Sequence, residues 1–366
     1  MTKIARARAR AEAGERLTLE DALALYEEND LLFLAACARA AKERASGRSV
    51  FYTVNRHINL TNICSSNCPL CAFQVEKGDA RGYVLSLEDL DQRLAAAAKV
   101  PELSEIHIVS ALHPEEPFSY YVDVVRAVRA ALPGVEIQAF TPVEIVNFAK
   151  MTGRPVKSIL EELQAAGLDG LPGGGAEIFA ERVRRIICPK KAMAAEWLET
   201  MRTAQALGIR TNASMMYGHV ETVRERIEHL LAIRDLQDET GGFQAFLLFP
   251  FHPAHTKLGE ERQLTRVGAW EDLKMMALSR LVLDNVPHMK AFWVMLTLPI
   301  AQLALGFGAD DLDGTIGEEK IIHAAGAQTG TGITKARLAA MIREAGYEPV
   351  ERDARYERMG KAGETA

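Results

Sequence analysis

Cys64, Cys68 and Cys71 stand in the run N-I-C-S-S-N-C-P-L-C-A-F. Their spacing is C-x3-C-x2-C, and an aromatic, Phe73, follows two residues after the last thiol. Iron in iron–sulfur clusters prefers soft thiolate ligands, and close spacing lets one short loop supply three of them. Three thiolates can hold three irons of a [4Fe–4S] cluster and leave the fourth iron open. Two other readings use the same thiols. A structural zinc wants four ligands, and His57 or His113 could be the fourth. An electron-transfer cluster also wants a fourth cysteine, for which Cys188 in I-I-C-P-K-K is the downstream candidate. Cys37 lies mid-helix among Ala and Leu and reads as a buried structural thiol.

The elements that must position this loop alternate along the chain. Residues 1–50 read as Ala-rich helices, with Thr18–Asp21 as a capping box that opens one of them. Strands are expected at 54–62, 105–109, 135–140, 168–171, 210–217, 243–249, 288–293 and 311–315. Helices are expected between them, and a last one at 335–345. Strands alternating with helices imply a parallel sheet. Eight such units predict an α/β fold of the closed (β/α)8, TIM-barrel type. The expected organisation is an N-terminal helical extension (1–50), a barrel (51–320) and a C-terminal helical extension packed on it (321–366).

Barrel enzymes build their sites where strands end. The cysteine loop follows the first strand. Ser110, Ala111 and His113 follow the second, and Thr141 and Glu144 the third. Glu144 suits either a ligand or the first turn of a helix, where a carboxylate meets the helix dipole. The fourth strand empties into Gly173-Gly174-Gly175-Ala176-Glu177. Glycines there allow close ligand approach, and amides at the next helix suit an anion. Glu177 is placed to cap that helix or to bind hydroxyl or amino groups. Asn212 and Ser214 share one face of the fifth strand, where inward polar groups need partners that a bound cofactor supplies. His219 reads as a general base, a substrate ligand or a turn residue. His252, Lys290 and the Asp311/Asp313 pair follow the last three strands. That acidic pair reads as turn chemistry rather than a magnesium site.

Composition narrows the class. The chain has 366 residues, of which 48% are hydrophobic and 25% charged. Those fractions are ordinary for a globular protein with a large core. A net charge of −6 leaves no basic footprint for nucleic acid. Lys3, Arg6, Arg8 and Arg10 cluster at the N-terminus and read as a solvated helix. No stretch approaches the roughly 20 apolar residues of a membrane span. No secretory signal is visible, and five cysteines without a framework suit a reducing cytoplasm.

The cysteine run and its flanks, N-R-H-I-N-L-T-N-I-C-S-S-N-C-P-L-C-A-F, resemble the radical SAM enzymes. So do L-P-G-G-G-A-E-I, A-S-M-M-Y-G-H-V-E-T and L-Q-D-E-T-G-G-F-Q-A-F, which look like the branch serving menaquinone and deazaflavin synthesis. The segments I-C-P-K-K and F-G-A-D-D-L-D-G-T are most similar to its aminofutalosine-forming members. A cyclase relative usually has Ser at Cys188 and Asn-Asp at Asp310-Asp311. The resemblance implies that Cys64, Cys68 and Cys71 hold a [4Fe–4S] cluster whose open iron chelates S-adenosylmethionine (SAM). It implies SAM contacts from Phe73, Ser110, Thr141, Glu177, Asn212 and Ser214. Family members usually carry Gly-Gly where this chain has Ser110-Ala111.

The implied reaction adds the 5′-deoxyadenosyl group of SAM to the enol ether of 3-[(1-carboxyvinyl)oxy]benzoate. Aryl migration and decarboxylation then give aminofutalosine, so SAM is a cosubstrate. The substrate is an aromatic dicarboxylate, which calls for cationic or amide donors. His113, Arg210 and Lys290 are the substrate-binding candidates, and His219 and His252 the catalytic ones. Lys190-Lys191 read as a solvated basic pair and a second choice. An external electron donor such as flavodoxin or ferredoxin is expected. A membrane or nucleic-acid partner is not.

Overall fold

The computed structural model describes residues 2–359. The last seven residues of the expected C-terminal extension lie outside the described residues.

Three helices lead the chain, Lys3–Ala13, Leu19–Glu28 and Leu31–Ser46. The capping box forms as expected. Thr18 accepts the Asp21 N–H, and the Asp21 carboxylate accepts the Thr18 N–H. Asn29, with φ of 62°, ends that helix in the left-handed region. The basic cluster is not merely solvated. Arg6 and Arg10 converge on the buried Asp21 carboxylate at 3.2 and 2.8 Å. Burial alone would raise that carboxyl, but Thr18 and the two arginines bring it down to about 2. The third helix packs on the helix Ala269–Val282.

Ten strands form one sheet. They are β1 (Ser49–Thr53), β2 (Asn55–Ile58), β3 (Glu105–Ile108), β4 (Glu136–Ala139), β5 (Gly170–Leu171), β6 (Arg210–Tyr217), β7 (Phe243–Pro250), β8 (His288–Lys290), β9 (Asp311–Gly314) and β10 (Glu348–Glu351). Every pairing between them is parallel. The order runs β10-β1-β9-β8-β7-β6-β5-β4-β3-β2. β1, second in that order, and β2, its last member, are halves of one extended run, so the ring closes through them and β10 adds to it beside β1. The His57 N–H donates to the Ile316 carbonyl and the Thr315 N–H to the Thr53 carbonyl, carrying the β9 pairing along the run. The eight-unit barrel read from sequence is therefore the observed fold.

β10 was not anticipated. Among the described residues it pairs only with β1, from Ser49↔Glu348 to Tyr52↔Glu351. Pro349 sits in it, as prolines do in edge strands. The C-terminal segment is thus part of the sheet as well as helical.

Barrel register brings distant side chains into rows. His57, His107 and Gln138 are partners across β2, β3 and β4. Ser214, Leu247 and Lys290 are partners across β6, β7 and β8. The helices outside seal the wall with large buried residues, Trp197 among them.

Candidate functional site

The glycine loop after β5 shows how closely the C-terminal mouth is packed. A Cβ on Gly173 would lie 2.7 Å from backbone atoms of Ala213. Only glycine lets the loop approach β6 this closely. Ser214 Oγ donates to the Gly173 carbonyl at 2.5 Å. The Trp197 indole N–H donates to the Gly174 carbonyl at 3.1 Å. The buried Arg184 guanidinium donates to the Gly175, Ala176, Ile178 and Ala192 carbonyls. The loop's carbonyls are therefore engaged, Gly173 by a barrel strand and the others by the surrounding helices.

One cavity of about 290 Å³ opens at this mouth. Cys64, Cys68, Cys71, Phe73, Ser110, Thr141, Glu177, Asn212, Ser214 and Lys290 all line it. The described residues hold no cluster of three or more His, Cys, Asp or Glu side chains around one metal-ion position. The three thiols line the cavity together. Burial pushes the Cys68 thiol up to about 12, with Lys191 working the other way. Burial raises Cys71 too.

The wall around the thiols is short of partners. Ser110 Oγ, Asn212 Oδ1, Gln74 Oε1 and His57 Nε2 are buried with no hydrogen-bond partner among the described residues. Unpaired buried polar atoms are costly, so a polar ligand is expected to satisfy them. Residues and cavity thus fit a thiolate-held cluster with a polar cosubstrate beside it.

Acidic groups in the cavity differ in state. Glu144 accepts from the Ser110 N–H at 2.9 Å and from the Thr141 N–H and hydroxyl at 2.7 and 2.8 Å. Burial nevertheless raises it to about 7. Of the two expectations for Glu144, the helix-capping one is met, and the carboxylate also lines the cavity. Glu177, with φ of 48°, meets the Lys191 ammonium at 2.7 Å. Burial opposes its charge, but Lys191 brings its pKa below the usual carboxylate range. Lys191 is not fully solvated but largely enclosed in the cavity wall, which the P-K-K run did not signal.

Four candidates fall elsewhere. Arg210 opens β6, at the opposite end of the barrel, where it donates to Gln244 and to the Arg355 carbonyl. In a parallel barrel the first residue of a strand is remote from the mouth, so Arg210 is no substrate ligand. His113 Nδ1 accepts from the Glu115 and Glu116 N–H groups, within its own turn. His219 is enclosed by Glu221 at 2.7 Å, the Met216 carbonyl and the Val220 N–H. His252 Nε2 bonds the Met295 carbonyl at 3.0 Å. None of the three imidazoles lines the cavity. Sequence reading missed His107 and Gln138 altogether and considered His57 only for zinc. Their signal was the alternation N-R-H-I and E-I-H-I, which puts His57 and His107 on one face.

Residues 58–233 match the family model of the radical SAM superfamily. Residues 240–364 match the CofH/MqnC C-terminal region. The aminodeoxyfutalosine synthase of Thermus thermophilus is 45% identical, over 94% of this chain and 92% of its own. That of Streptomyces coelicolor is 43% identical, over 95% and 92%. The 5-amino-6-(D-ribitylamino)uracil–L-tyrosine 4-hydroxyphenyl transferase 1 of Methanosarcina acetivorans is 41% identical, over 94% and 91%. Among solved structures, methylornithine synthase superposes with a TM-score of 0.75 at 16% identity, over 94% of this chain and 97% of its own. At that identity the likeness speaks to the fold alone. Matched domains and barrel together define a radical SAM enzyme. More narrowly, the chain belongs to the aminodeoxyfutalosine synthase family.

Proposed function

We propose that this chain transfers the 5′-deoxyadenosyl group of SAM to 3-[(1-carboxyvinyl)oxy]benzoate and releases aminofutalosine for menaquinone synthesis. One observation carries the reading beyond the family. The thiol-lined cavity has an aromatic side as well, made of His57, His107, Phe249 and Phe292. A SAM-binding wall facing an aromatic wall suits the joining of a nucleoside to an aryl enol ether.

Cys64, Cys68 and Cys71 would hold the cluster, which when bound supplies the electron that cleaves SAM. Phe73 and the glycine loop line the space beside it. Ser110, Thr141, Asn212 and Ser214 offer hydroxyl and amide groups, and Glu177 a carboxylate fixed by Lys191. Ile321 and Ile322 line the cavity from the C-terminal segment and help to exclude water. Residues 1–50 and 321–366 serve as extensions of the barrel in this reading. The electron comes from an external donor such as flavodoxin or ferredoxin. No helix among the described residues is long and apolar enough to cross a membrane.

A second reading has one observation behind it. The methanogen transferase is 41% identical to this chain, close to the synthases. A deazaflavin-type or cyclase reaction with the same cluster and SAM is therefore the alternative. Asp310, one of the residues that set the branches apart, pairs with Arg280 and His288 and does not line the cavity. Anaerobic turnover separates the readings. The reconstituted enzyme is offered the carboxyvinyl-oxybenzoate, dehypoxanthine futalosine, or tyrosine with the deazaflavin precursor. Consumption of the first supports the proposal. Consumption of only the second or third overturns it.

A further inference from the structure

His57 belongs to the aromatic wall of the cavity and also carries ring nitrogens. Its ring stacks on His107 at 4.6 Å and 22°. Phe292 lies nearly parallel on it at 6.5 Å and 12°. Phe249 meets Phe292 edge-on at 5.9 Å. Burial, then the neighbouring His107, lowers His57 to about 3, so the imidazole stays neutral. A neutral imidazole carries one N–H and one acceptor nitrogen. Nε2 is buried and without a partner among the described residues.

Lys290 lines the same cavity from β8. Its Nζ donates to Asp313 Oδ1 at 3.0 Å. That bond uses one of three ammonium donors. Asp313 also cancels the charge of Lys290, so the pair offers directed donors rather than a net field. Arg352 lies 2.7 Å from Asp311 and 3.8 Å from Glu105. None of those three lines the cavity. Asp313 lines the cavity too, but it is engaged by Lys290, and the donors left over beside an aromatic wall suit an acceptor such as a carboxylate borne on an aromatic ring.

We propose that His57 and Lys290 together receive the ring carboxylate of the aromatic substrate, with the ring packed against Phe249 and Phe292. Asp313 is a positioning residue that holds Nζ in place. The proposal rests on the aryl-dicarboxylate reading given above and assigns one of the two carboxylates. The other carboxylate then faces the SAM side of the cavity.

The test uses unreactive ligands and the reconstituted enzyme with SAM and no reductant. The diacid 3-(1-carboxyethoxy)benzoate is compared with the monoacid 2-phenoxypropanoate by calorimetry. The wild type should bind the diacid about tenfold more tightly, as expected for hydrogen bonds to a charged group. His57→Phe keeps a stacking ring but no donor, and Lys290→Met keeps length but no charge. Each should weaken diacid binding about tenfold and monoacid binding by less than about threefold. His57→Gln should recover part of the loss, because an amide restores a donor. Equal weakening of both ligands, or of neither, overturns the inference while leaving the substrate reading intact. If the wild type binds neither ligand and does not consume the carboxyvinyl-oxybenzoate, the substrate reading itself falls and takes the inference with it. Should His57→Phe fail to fold, Lys290→Met carries the test alone.

Discussion

The Lys191 ammonium lies 2.7 Å from the Glu177 carboxylate, inside the wall that also carries the three cluster-motif thiols. Both side chains are largely buried, at 19% and 8% exposure. Removing one partner of a buried pair strands the other charge. Lys191→Met should cost about 3–5 kcal/mol of unfolding free energy in denaturant melts. The double variant Lys191→Met/Glu177→Gln should recover most of that loss. Recovery of none would mean that the two charges are not coupled.

The glycine loop gives a steric prediction. Gly173→Ala places a methyl 2.7 Å from the Ala213 backbone, which cannot yield as a side chain would. Overpacking of this kind costs about 1–3 kcal/mol or more. Gly134→Ala is the control, since a Cβ there meets nothing within 4 Å. Thermal melts of the two variants should differ clearly. Equal melting temperatures would contradict the close approach.

Glu144 predicts a pH dependence. Its pKa is raised by burial from the usual carboxylate value to about 7 in the folded chain. A folded-state pKa above the unfolded one gives stability that is full below the unfolded value. That contribution is lost as pH rises toward the folded value. Relative to Glu144→Gln, the wild type should therefore lose stability between about pH 4.5 and 7, then level off. Urea melts of both proteins across this range measure the difference. A constant difference would show that the carboxyl is not perturbed.

Arg210 supplies a negative prediction. It is exposed at the barrel end opposite the cavity. Arg210→Ala should alter stability by no more than about 0.5 kcal/mol and leave turnover unchanged. A selective rise in KM would restore it as a substrate ligand.

Cys64→Ala, Cys68→Ala and Cys71→Ala should each abolish reductive cleavage of SAM. The readout is 5′-deoxyadenosine release under anaerobic reduction. Retained release in any one of them would remove that residue from the ligand set.

What sequence could reveal followed its own periodicities. β6 was expected at Arg210–Tyr217 and is found there, because its alternation and flanking Gly208 are local signals. Asn212, Ser214 and the glycine loop reach the cavity for the same reason. His113, His219 and His252 looked equally placed, but each imidazole is tied to backbone near the mouth and does not line the cavity. Local turn geometry decides that, and residue type does not report it. His57 and His107 sit together only through the β2–β3 register, a long-range pairing. Lys191 is drawn inward by Glu177, fourteen residues away. β10 is short, acidic and proline-containing, so no pattern marked it.

The run from Ser49 to Ile58 has a consequence for how the molecule is made. Its partners at β9 lie about 260 residues downstream, as the Asn55–Thr315 contact shows. Closing so long a loop is entropically slow, and non-local pairings of this kind delay folding. On a ribosome the cysteine loop emerges early, while the strand that shuts the ring emerges near the end. Until then β1 and β2 present a bare edge, of the sort that invites pairing with other chains. The cysteines thus wait beside an unfinished wall, and any truncation before β9 leaves that wall open for good.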